Sequence, residues 1–163
     1  MQTHAFGKLP PVSVLTLGGG GLGMLWGKTT FEECVATVHA AVGDGITLLD
    51  LAPRYGDGKA EEVVGAAFAG KLPEGVRLTS KCNLGNPPVA DIETILRRSI
   101  EGSLHRLRVE KLDLFFLHSN VVPDAAFIAV PNHEAPAVAG ALAARGAGGF
   151  VCFSSGLDRK SVV

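Results

Sequence analysis

Residues 47–56 read Thr47-Leu48-Leu49-Asp50-Leu51-Ala52-Pro53-Arg54-Tyr55-Gly56, an apolar run that ends in an acid and then turns through a proline to a tyrosine. Such a run bounded by a turn signal predicts a buried strand whose carboxyl end brings Asp50 and Tyr55 to one place. Two further apolar runs behave alike: Val76 to Lys81 closes on a lysine, and Leu112 to His118 closes on a histidine. Three strands that each finish on an ionisable group point to chemistry collected at the carboxyl edge of a parallel sheet, where α/β folds keep their ligand sites.

Outward from these strands, helix and strand patterns alternate. Thr30 to Glu33 has the spacing of a capping box and opens a helix to about Val42, with Val35, Val38 and Val42 on one face. Lys59 to Ala69 predicts a second helix, stopped by Gly70. Asp91 is placed to cap a third, in which Ile92, Ile95, Leu96, Ile100, Leu104 and Leu107 recur near helical spacing. Before them, the residues around Lys8 to Pro11 predict a small hairpin leading into a strand over Val12 to Leu17. After Val121 the periodicity weakens; Ala135 to Arg145 reads as a helix and Gly149 to Ser154 as a fifth strand. Alternation of this kind predicts βα units on a parallel sheet.

Composition excludes several functions. The 163 residues are 47% hydrophobic and 19% charged, enough for a real core and too apolar for disorder. A net charge of −1 leaves no electrostatic case for nucleic acid. Arg97, Arg98, Arg106 and Arg108 then read as a solvated helix face. No run approaches the ~20 apolar residues of a membrane span, and the N-terminus lacks a basic then apolar leader, so a cytoplasmic protein is expected. Cys34, Cys82 and Cys152 are odd in number and widely spaced, which argues against a disulfide framework or a zinc site and predicts buried, inert thiols.

The run Gly18-Gly19-Gly20-Gly21-Leu22-Gly23 satisfies G-x-G-x-x-G after a strand, so a Rossmann-type nucleotide-binding domain is one alternative. Its context differs: Met24 to Thr29 intervene before the helix cap, and the next strand-end acid, Asp50, comes too late for a ribose partner. Asp50, Tyr55, Lys81 and His118 make better sense as a set. A phenol has an ordinary pKa near ~10 and serves as a proton donor at neutral pH when a nearby cation stabilises its anion. Lys81 is the candidate cation, Asp50 the group that keeps it charged, and His118 the hydrogen-bonding partner of the oxygen receiving the proton.

With these residues in view, the chain resembles the N-terminal half of an aldo-keto reductase. The resemblance rests on Gly45-Ile-Thr-Leu-Leu-Asp-Leu-Ala, on Asp50 and Tyr55 five apart, on Glu61-Glu62-Val63-Val64-Gly65, on Ser80-Lys81 and on Phe116-Leu117-His118. It implies an α/β fold, a partial (β/α)8 TIM barrel of about the first four to five βα units preceded by a short hairpin. Residues 1–163 would form a single incomplete barrel domain, with 122–163 its weakly patterned part, since a whole barrel takes ~250 residues.

The implied activity is an NADP(H)-dependent oxidoreductase that reduces an aldehyde or ketone, or oxidises the matching alcohol. Tyr55 would be the general acid, Asp50 and Lys81 would tune it, and His118 would position the carbonyl. By the same resemblance Gly20, Gly21, Leu22, Asp50, Ser154 and Ser155 contact the cofactor, Trp26 joins Tyr55 and His118 at the substrate, and no metal, membrane or nucleic acid takes part. A member that keeps the scaffold as a non-catalytic binding or regulatory module is the other alternative.

Overall fold

The computed structural model describes residues 1–7, 9–85, 87–118 and 151–153. An antiparallel hairpin of β1 (Thr3–Phe6) and β2 (Leu9–Ser13) precedes a five-stranded sheet. Its strands are β3 (Thr16–Gly18), β4 (Leu48–Asp50), β5 (Arg77–Cys82), β6 (Leu114–Leu117) and β7 (Val151–Phe153). They pair in parallel in chain order, β3-β4-β5-β6-β7. Helices α1 (Phe31–Gly43), α2 (Lys59–Phe68) and α3 (Val89–Leu107) connect the first four strands of this sheet. Each strand lies beside its predecessor, and the order never reverses. A doubly wound Rossmann sheet reverses at its ligand site, so that alternative is overturned; strictly sequential order is that of the opening units of a (β/α)8 barrel.

The strand expected over Val12 to Leu17 is two strands. The chain leaves the hairpin at Ser13 and enters the sheet at Thr16, exposing Val14 and Leu15. Ser13 and Thr47 cause the break: the Ser13 amide donates to Thr47 Oγ1 at 2.8 Å, the Thr47 amide to Ser13 Oγ at 2.9 Å, and the Ser13 hydroxyl to the Leu15 carbonyl at 2.6 Å. Side chains that bond backbone in this way replace the ladder with a turn. The capping box forms as read, with the Thr30 amide on Glu33 at 2.7 Å and the Glu33 amide on Thr30 at 3.1 Å.

Asp91 is not a cap. Helix α3 starts two residues earlier, after Pro88, whose ring presets an entry φ of −54°. Asp91 lies in the first turn, where its carboxylate meets the positive end of the helix dipole. The predicted helix over Ala135 to Arg145 falls outside the described residues, whereas the fifth parallel strand is present as β7.

The core lies between sheet and helices. Leu49 and Leu51 at β4, Leu78 on β5, Val38 on α1, Val63 and Val64 on α2 and Leu107 on α3 are almost wholly buried in one cluster. Each such side chain contributes about 1.5–3 kcal/mol by leaving water. Because successive side chains of a strand face opposite ways, Leu78, Ser80 and Cys82 point to the helices while Thr79 and Lys81 point to the other face. The sheet thereby turns a mainly apolar face, Ser80 excepted, toward its helices and a polar one inward near the carboxyl end.

Candidate active site

Gly18, Asp50 and Thr79 stand side by side in register across β3, β4 and β5. Strand β5 runs on past them through Lys81 to Cys82, and His118 follows the end of β6. The Lys81 ammonium donates to Asp50 Oδ1 at 2.7 Å, to the Leu51 carbonyl at 2.9 Å and to the Tyr55 hydroxyl at 3.2 Å. Thr79 donates to the same Asp50 oxygen at 2.7 Å. Lys81 is buried, and a buried cation without partners costs several kcal/mol. The Asp50 carboxylate and the Leu51 carbonyl satisfy two of its N–H groups and direct a third at the phenol.

Tyr55 reaches this place through a tight turn, its amide bonded to the Ala52 carbonyl at 3.0 Å. Its ring meets that of His118 edge to face, centroids 5.8 Å apart at 86°. The His118 amide bonds the Cys82 carbonyl at 2.6 Å and its carbonyl accepts from Asn83 at 2.9 Å, which fixes the backbone of His118 at the end of the sheet. Burial lowers the His118 pKa from 6.5, with the positive charges of Lys81 and Arg54 acting in the same direction against Asp50. A neutral imidazole carries one N–H donor and one acceptor. His118 Nδ1 is the one buried side-chain nitrogen or oxygen among the described residues with no hydrogen-bond partner. Buried polar atoms are nearly always paired, so His118 Nδ1 stands out as an exception at this edge of the sheet.

All four residues expected to act together are therefore within one cluster. The glycine run lies at the same edge but packs as well as turns. The Gly19 amide bonds the Asp50 carbonyl at 2.8 Å. A Cβ on Gly23 would sit 2.4 Å from the Tyr55 carbonyl carbon, and one on Gly56 would sit 2.3 Å from the Gly23 carbonyl oxygen. Glycine is required on both sides because backbone rests on backbone. The Leu22 side chain belongs to the hydrophobic core. Trp26 is 81% exposed, with its ring over Gly20, whose added Cβ would meet the ring at 2.5 Å. Gly21 lies between, partly exposed. Ser154 and Ser155 fall outside the described residues.

Cys82 is buried and its thiol pKa is raised by that burial, only partly offset by a hydrogen bond from Ser99, in keeping with an inert thiol. Cys34 is likewise buried and free. One reading fails: Arg106 does not belong to a solvated helix face. It turns inward, its Nε donating to Glu61 at 2.7 Å, because Glu61 is wholly buried and requires a cation. Glu61, Ser80 and Arg106 were missed as a buried polar cluster. The available signal was an acid beside Ala60, Val63 and Val64 on the apolar side of α2.

Among the described residues no group of three His, Cys, Asp or Glu is arranged to hold a metal, and no helix is long and apolar enough to cross a membrane.

A sequential parallel sheet with an Asp-Tyr-Lys-His cluster at its carboxyl edge matches the opening units of a βα barrel, with the cluster at the edge where such folds hold their ligands. The particular family follows from comparison: the Aldo/keto reductase family profile matches residues 14–143, and the chain belongs to that family. It is similar to the aldo-keto reductase YhdN of Bacillus subtilis (strain 168), 37% identical over 102 residues, 59% of this chain and 30% of that protein. It is also similar to the methylglyoxal reductase YeaE of Escherichia coli (strain K12), 41% identical over 87 residues, 52% of this chain and 28% of that one. Among solved structures it resembles the aldo-keto reductase from Klebsiella pneumoniae in complex with NADPH, with a TM-score of 0.75 at 30% identity over 98% of this chain and 51% of the other. The chain thus spans about half the length of that structure and less than a third of these two curated relatives.

Proposed function

We propose that this chain carries the proton-transfer site of an NADP(H)-linked reduction of a small aldehyde or ketone, with Tyr55 as general acid and as general base in the reverse direction. The single observation that supports this most is the Lys81 ammonium, 3.2 Å from the Tyr55 hydroxyl and held by Asp50 at 2.7 Å. When the phenol gives its proton to the substrate oxygen, negative charge develops against a cation already in place. Two unit charges ~4 Å apart attract by roughly 4 kcal/mol at an effective dielectric of ~20. That attraction is absent before transfer, so it favours the transition state over the ground state.

His118, held neutral by burial and its cationic neighbours, orients the carbonyl oxygen by hydrogen bonding without competing with Tyr55 as the acid. Tyr55, Lys81 and His118 can hold and move protons, but none can supply a hydride. The proposed reduction therefore calls for a nicotinamide cofactor, which would supply the hydride when bound. Gly20, Gly21, Leu22 and Asp50, with Ser154 and Ser155, are the residues proposed to hold it, and Trp26 to border the substrate. The Klebsiella relative's structure in complex with NADPH supports this reading.

The test is Tyr55→Phe, assayed by carbonyl-dependent consumption of NADPH with a panel of small aldehydes. Turnover is expected to fall at least ~100-fold, the usual contribution of a general acid. A variant that turns over like the parent overturns the assignment. Nucleotide binding with no reduction of any aldehyde would instead favour the binding-module alternative.

A further inference from the structure

On the helix side of the sheet, opposite the site, lies a second polar cluster that the proposed reaction does not use. Glu61 is 0% exposed, as are Ser80 and Ser103. One carboxylate oxygen accepts from the Ser80 hydroxyl at 2.6 Å, the other from Arg106 at 2.7 Å, and the Ser80 and Ser103 hydroxyls are 3.2 Å apart. Well-packed apolar groups often do as well or better for stability than a buried ion pair, so stability alone is a weak account of it.

What the cluster joins is more informative. Ser80 is the residue before Lys81 on β5 and, by strand alternation, faces the helices while Lys81 faces the site. Glu61 lies in the first turn of α2, which grows directly out of the Tyr55 loop: the Ala60 amide bonds the Tyr55 carbonyl at 3.2 Å and the Lys59 amide bonds the Gly56 carbonyl at 3.0 Å. The Glu61–Ser80 bond therefore runs from the loop presenting the phenol to the strand position next to the ammonium. Arg106 holds the carboxylate from α3 and also fills the space over Gly58, where an added Cβ would meet its Cδ at 2.6 Å and φ is +91°. The start of α2 is thereby held by Ser80 and Arg106 together.

We propose that Glu61 is a positioning residue: acting through Ser80 and Arg106, it sets the separation of Tyr55 and Lys81 from the far side of the sheet. A hydrophobic contact there would be non-directional and let helix and strand slide, whereas short charge-assisted hydrogen bonds fix both. The role rests on the reading of Tyr55 and Lys81 as the reacting pair, but its test does not. Tyr55 is the only tyrosine in the sequence, so in protein carrying carbon-13-labelled tyrosine the ring signals report this one residue.

Ser80→Ala and Glu61→Gln are each expected to shift the Tyr55 ring resonances and weaken the ring-to-ring nuclear Overhauser effect with His118. Val38→Ala, an equally buried change in α1, is expected to lower the melting temperature and leave those signals in place. Ser80→Ala, which removes a single neutral donor and retains the Glu61–Arg106 pair, covers the case in which Glu61→Gln does not fold. In turnover assays Ser80→Ala is expected to lower kcat roughly tenfold with little change in KM, as small misplacements of reacting groups do. Folded Ser80→Ala protein with unchanged Tyr55 signals overturns the proposal. If the signals move while Tyr55→Phe leaves turnover intact, the positioning role stands and the catalytic reading falls.

Discussion

The two ends of the parallel sheet hold the same kinds of groups and use them differently. At the amino end, Asp113 Oδ2 accepts from the Leu78 amide at 2.9 Å, the Asp113 amide donates to the Leu78 carbonyl at 3.0 Å, and Arg77 lies 3.7 Å from Asp113 Oδ1. With the reciprocal Ser13 and Thr47 bonds, that end is stitched shut by the chain itself. At the carboxyl end Lys81 and Asp50 are equally well paired, yet a phenol hydroxyl stands beside the ammonium and His118 Nδ1 has no partner. Charge at the amino end of a strand is thus no mark of a site. Unspent hydrogen-bonding capacity beside a fixed charge is the better mark.

Breaking this contrast should be easiest at Lys81. Lys81→Met keeps much of the side-chain volume and removes the cation, and kcat for carbonyl reduction should drop by about 10²–10⁴, the range for general acid–base catalysis. Asp113→Ala, at the other end, should cost about 2 kcal/mol of stability by leaving a strand amide without its acceptor, read as a lowered urea midpoint. Its kcat in the folded state should stay near the parent's. If Asp113→Ala lowers kcat as far as Lys81→Met does, the division of labour between the two ends is wrong.

Gly23→Ala sharpens the contrast from within the carboxyl edge. Its new Cβ would lie 2.4 Å from the Tyr55 carbonyl carbon, so the loop must shift and carry Tyr55 with it. A loss of about tenfold in kcat is expected, with a modest fall in melting temperature. Gly27→Ala, in a turn with open space around it, should do neither.

The smallest effect concerns pH. The folded state holds the His118 pKa below 6.5, so the unfolded chain binds a proton more readily than the native one. Stability from this group is complete above about 6.5 and is lost as pH falls through the lower folded value. Melting temperatures measured from neutral to mildly acid pH should therefore decline, and less steeply in His118→Gln. An equal slope in the variant would assign the acid sensitivity elsewhere.

Much of the fold was legible because it is written in local periodicity. The capping box at Thr30, the helix from Lys59 and the placement of Asp50, Lys81 and His118 within a residue of their strand ends all follow from spacing within a few residues. Two misreadings arose where a contact distant in sequence overrode the local pattern. Ser13 and Thr47, 34 residues apart, split one expected strand into two. Glu61, 45 residues from Arg106, drew an arginine off an apparently solvated face. Asp91 lost the cap position to Pro88, a local contest between two valid start signals.

Taken alone, the amino-acid order determined which groups stand at which strand ends, because side-chain alternation and helical period leave little choice there. Only the folded chain decided which of those groups are satisfied by their neighbours and which remain available. That depends on bonds such as Ser80 to Glu61, between residues whose proximity no local pattern records.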